Sequence, residues 1–83
     1  MAYVEEHINT YKNISGNSGI SEYLPGDDYI NVKFIRGGVY RYGRAKIGSA
    51  HLETMMRLAE EGAGLNTFIN KHPIVKKSGV QTS

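Results

Sequence analysis

The chain has 83 residues, 40% of them hydrophobic, with six Tyr, two Phe and no Cys. It holds one small domain with enough apolar material for a core, and it excludes disulfides, thiolate metal sites and thiol nucleophiles. Net charge is only +2, yet residues 29–52 carry Lys33, Arg36, Arg41, Arg44 and Lys46 without one carboxylate.

A domain of this size buries only about 60–65% of the surface its unfolded chain exposes, so association with a copy or a partner would add useful stability. No apolar run approaches the ~20 residues that span a bilayer. Residues 1–12 lack the basic start and apolar centre of a signal peptide. A cytoplasmic protein with no membrane partner is therefore expected.

Residues 1–16 form an N-terminal segment of undecided structure. Val4, Ile8 and Tyr11 have helical spacing, but over one short stretch. "SGNSG", residues 15–19, reads as a flexible connector. "ISEYL", residues 20–24, reads as a strand closed by the turn "PGDD". In "YINVKFI", residues 29–35, Ile30, Val32 and Phe34 alternate with Asn31 and Lys33, the period-two pattern of a strand with one buried face.

"RGG", residues 36–38, is the expected hairpin loop and "VYRYG" the returning strand. Two-residue turns pair Arg41 with Phe34 or Val32 and so put a charge on the apolar face. A three-residue loop pairs Ile35 with Val39, Phe34 with Tyr40, Lys33 with Arg41 and Val32 with Tyr42. That register keeps every charge on one face and gives Gly38 a left-handed position that suits it.

Residues 44–48 are expected as a loop, with Ser49 as N-cap of a main helix over residues 50–62. Leu52, Met55, Met56 and Ala59 share one face of it, and Gly62 stands at its C-cap. "GLNTFINKH" predicts a short second helix with Leu65, Phe68 and Ile69 inward, stopped by Pro73. Residues 74–83 read as a disordered tail. The expected fold is α+β: an antiparallel β-meander of about three strands packed against one main helix and a short following helix.

The order "NSGISEY", "INVKF", Gly38 with "YRY" at residues 40–42, and a helix ending in "LAEEGAGLNTFI" resembles the KTSC domain. That family occurs at the C-terminus of some lysyl-tRNA synthetases and alone in small bacterial and phage-type proteins. The resemblance covers residues 17–70 and implies a KTSC-like domain over residues 17–73. The chain departs from the family pattern where a Val-Pro commonly follows Y-x-Y, and at the closing Ile-basic-x-x-Tyr, which is "INKHPIV" here. The family's function is not established; RNA binding has been suggested from its synthetase setting.

The chemistry left by this reading is binding. Tyr40 and Tyr42 could stack on bases, but the register favours packing against Val32, Phe34 and the helix. Lys33 and Arg41, opposite one another on the outer face, would repel unless a bound phosphate or the carboxylate of Glu22 offset them. Lys33, Arg36, Arg41, Arg44 and Lys46 are thus the candidate nucleic-acid contacts, for RNA or another single strand. The alternative is a protein-interaction or self-association module using a sheet edge or the Tyr/Met surface. His7, His51 and His72 lack ligand spacing, Asp27-Asp28 reads as turn chemistry and Glu60-Glu61 as a solvated helix face. No nucleophile–base set is visible. No enzymatic activity, cofactor or metal is expected.

Overall fold

In the computed structural model, residues 9–13 and 19–82 are described. Among these residues five antiparallel strands run in sheet order β1-β2-β3-β4-β5: β1 (Asn9–Thr10), β2 (Ile20–Pro25), β3 (Tyr29–Phe34), β4 (Gly38–Gly43) and β5 (Val80–Gln81). Four helices connect β4 to β5: α1 (Arg44–Ile47), α2 (Ser49–Glu61), α3 (Leu65–Lys71) and α4 (Pro73–Ser78). The expected α+β meander is the centre of this sheet, and two-residue strands extend it at both edges. The expected connector at 15–19 lies, apart from Gly19, outside the described residues, as do Val4 and Ile8.

Alternation builds the core. Ile30 and Val32 of β3 and Tyr42 of β4 point inward and are buried, while Lys33 and Arg41 are exposed on the other face. Ile20 and Tyr23 are three residues apart yet both buried. A β-bulge between Ile20 and Glu22 absorbs the extra residue, which a strict period of two would send outward. Against these residues pack Leu52, Met55 and Ala59 of α2, Leu65 and Ile69 of α3 and Val75 of α4. Tyr11 joins them from the N-terminal segment, its hydroxyl accepting a bond from the Leu65 N–H at 3.3 Å.

The hairpin corrects the expected pairing. The turn is Ile35-Arg36-Gly37, and the register pairs Phe34 with Gly38, Lys33 with Val39, Val32 with Tyr40 and Asn31 with Arg41. Partners move by two residues, so every side chain keeps its predicted face. The slip removes the like-charge pair: Arg41 now faces a neutral amide, and Lys33 faces valine. Gly38, at φ 84°, still takes the left-handed conformation, now as the first residue of β4.

Three further expectations are corrected. Residues 44–47 form a helical turn rather than a loop. Ser49 is the first residue of α2 and does not cap it; Gly48 occupies the cap position. The expected disordered tail instead forms α4 and β5. Pro73 does end α3, but its missing N–H and fixed φ suit the first turn of a new helix, and it starts α4.

Candidate nucleic-acid interface

The outer face of the sheet is open. Glu22 and Leu24 of β2, Tyr29, Asn31 and Lys33 of β3, and Val39 and Arg41 of β4 share it by alternation and register. Arg41 is the organised cation. Its guanidinium carbon lies 4.1 Å from the centroid of the Tyr29 ring, and its Nε donates to Asn31 Oδ1 at 3.0 Å. Stacking and one hydrogen bond fix the plane of the guanidinium and leave its two terminal amino groups for an anion. Lys33 stands 3.8 Å from Glu22 across the β2–β3 pair, both side chains well exposed. Such a pair is weak and screened by salt, so a phosphate could compete for the ammonium.

The five candidate cations do not form one patch. Arg36 is in the turn at one end of β4, and Arg44 and Lys46 follow its other end. Six extended residues between them span about 20 Å. Arg44 is committed internally. Its Nη2 donates to the Asp27 carbonyl at 2.9 Å and its Nη1 to Ser49 Oγ at 2.9 Å. Its Nε lies 3.3 Å from Asp28 Oδ1, as an ion pair rather than an aligned hydrogen bond. Ser49, which lies inside α2 with Gly48 at the cap position, accepts from Arg44 through its hydroxyl oxygen. Arg44 therefore clamps the β2–β3 turn onto the α1–α2 junction. Arg44→Ala should lower stability by about 1 kcal/mol, since the clamp is partly exposed, and leave oligonucleotide affinity within about twofold. Urea unfolding and a binding titration of one variant check both. Lys46 is exposed on α1.

The tyrosines divide by depth. Tyr42 is 3% exposed, and burial first, then Tyr40, pushes its hydroxyl up to about 12. Tyr40 is half-buried, edge-on to Phe34 at 5.8 Å between centroids, with its hydroxyl donating to Gln81 Oε1 at 3.3 Å. The ring that shares a face with the cations is Tyr29. Its place as first residue of β3, in phase with Lys33, is the signal that could have found it.

Two groupings join residues distant in sequence. His51 and His72 come together, with ring centroids 5.3 Å apart; Phe68 packs against both. Nδ1 of each lies 2.7–2.8 Å from a backbone carbonyl, Ile47 for His51 and Phe68 for His72. Among the described residues no group of three or more His, Cys, Asp or Glu could hold a metal ion; His7 lies outside them. The second grouping is an open groove of about 890 Å³ at the hairpin end, between the inner face of the sheet, α3 and α4.

Comparison of the chain with protein families, with curated proteins and with solved structures returns no match. No helix of the described residues is long and apolar enough to cross a membrane.

Proposed function

We propose that this chain is a small, non-enzymatic binding module for single-stranded nucleic acid, RNA foremost, of KTSC type, acting through the outer face of its sheet. The observation that carries the reading is the Arg41 guanidinium, held on Tyr29 and oriented by Asn31. A fixed planar cation beside a ring offers a phosphate two donors and a base a surface to stack on. Lys33 supplies the second charge and Arg36 a third at the hairpin end. Arg44 and Lys46 belong to the other end of β4, where Arg44 serves the fold. The resemblance to KTSC domains bears on the fold more than on this function.

Affinity for a mixed single-stranded RNA should fall with salt. Two to three phosphate contacts give a log–log slope of roughly −1.4 to −2.1. Arg41→Ala should weaken binding about tenfold and make the slope shallower by about 0.7, with the melting temperature little changed. Unaltered affinity in that variant, or no binding at low salt, would sink the reading.

A second reading has its own observation. Val80, in β5 opposite Arg41, is 48% exposed, and with Leu24 and Val39 it gives the outer face an apolar component. That composition suits a protein partner or a second copy of the chain. Sedimentation across a hundredfold range of concentration distinguishes a self-associating face from a monomer that binds RNA.

A further inference from the structure

The groove at the hairpin end lies on the sheet face opposite Arg41 and Tyr29, and Arg36 alone belongs both to it and to the surface proposed above. Its walls come from three places. Phe34 and Tyr40 form an aromatic floor on β3 and β4. Asn66 and Asn70 stand one helical turn apart on α3, with the Asn70 amino group 3.4 Å from Asn66 Oδ1. Arg36 of the hairpin turn and Lys76 of α4 also line it, and among the described residues no carboxylate does.

Each component asks for a different part of one ligand. Ring edges and faces with half-buried apolar surface favour a flat ring system. Two side-chain amides joined by one long bond still hold a donor and an acceptor between them, the pair that reads the polar edge of a nucleobase. Two cations without a compensating carboxylate favour a phosphate, which Arg can grip with two parallel bonds. An acidic peptide would use the cations but not the amide pair beside the rings. A volume of about 890 Å³ falls within the usual range of small-molecule sites, about 300–1,000 Å³.

We infer that this groove is a site for a free nucleoside phosphate, its base on Phe34 and Tyr40 beside Asn66 and Asn70, and its phosphate between Arg36 and Lys76. Lys76 lies in the stretch whose sequence suggests a tail. The site exists because α4 forms and β5 pins the chain end to β4.

The test is a backbone amide NMR titration of the full chain with AMP and with UMP, each to about 5 mM, the weak end of specific small-ligand affinity. Ribose 5-phosphate, adenosine and a short RNA are run alongside. The expected result is saturable shifts at Arg36, Tyr40, Asn66, Asn70 and Lys76 with a mononucleotide, weaker binding of ribose 5-phosphate and of adenosine, and no change on Arg41→Ala. The double variant R36A/K76A changes two exposed side chains and should fold; it should lose about tenfold or more in AMP affinity. Asn70→Ala should change the preference between AMP and UMP. Shifts confined to the outer face, equal binding of ribose 5-phosphate and AMP, groove shifts with the RNA but with neither mononucleotide, or no groove shifts with any probe would each overturn the inference. Loss of RNA binding on Arg41→Ala with the groove shifts intact separates this site from the outer face.

Discussion

Replacing Tyr42 by alanine is expected to cost about 3–5 kcal/mol of folding stability, the range of buried aromatic truncations. Tyr42 is 3% exposed and belongs to the cluster of Ile30, Val32, Met55, Leu65 and Val75. Its ring also packs on the chain end: a side-chain carbon added at Gly79 would come within 2.8 Å of it. Loss of the ring would therefore leave a cavity and loosen the seat of β5. Urea unfolding measures the effect, and a change below about 1 kcal/mol would mean that the ring is not core. The hydroxyl adds a pH dependence. Its pKa rises from 10.0 to about 12 in the folded chain, so the folded state holds the proton more tightly than the unfolded one. The associated stability is fully present below pH 10.0 and is lost as pH rises toward about 12, by on the order of 2 kcal/mol. Tyr42→Phe should flatten the part of the alkaline loss that Tyr42 carries. Tyr23, also raised by burial and then by Glu60, will keep a share of it.

Gly62→Val should be as damaging, for a different reason. Gly62 ends α2 in the left-handed conformation, φ 79°, with its N–H donating to the Leu58 carbonyl. A non-glycine residue there carries conformational strain. In addition, a Cβ would stand 2.4 Å from Lys12 Cβ and 3.2 Å from Lys12 Cα. The neighbour is partly backbone, so the N-terminal segment must move. Strain and overpacking together give about 2–5 kcal/mol. The displacement should be local, loosening Tyr11 from Leu65 before the sheet opens. Amide exchange should then show protection lost first at Leu65 and at Tyr11, whose N–H bonds the Ser21 carbonyl. Wild-type stability in Gly62→Val would contradict this packing.

The strands were legible because their chemistry is local. Ile30, Val32 and Phe34 alternate with Asn31 and Lys33, and any register that keeps charges on one face gives Tyr40 and Tyr42 an inward place. The same logic could not choose between two three-residue loops, because a slip of two residues conserves both faces. Leu52, Met55 and Ala59 announced α2 by spacing, and Gly62 announced its end. The tail was illegible for the converse reason. Val80 and Gln81 form a strand through pairing with Arg41 and Tyr40, about forty residues away, and Pro73 reads equally as a stop and as a start. The groove draws on the hairpin, α3 and α4 together, so no local pattern contains it. Among the cations, sequence placed five residues in one basic stretch. Their separation follows from β4, which runs from the end beside Arg36 to the end beside Arg44, and from the Asp27, Asp28 and Ser49 contacts that engage Arg44.

The central claim is that nucleic acid meets the outer face of the sheet at Arg41. The most direct measurement is a side-chain NMR titration following the Arg41 Nε–H and the Tyr29 ring with a mixed single-stranded RNA at low salt. Saturable shifts at both, with the Lys33 amide following and the Arg44 guanidinium still, are the predicted result. Saturable binding that leaves Arg41 and Tyr29 unmoved would contradict it.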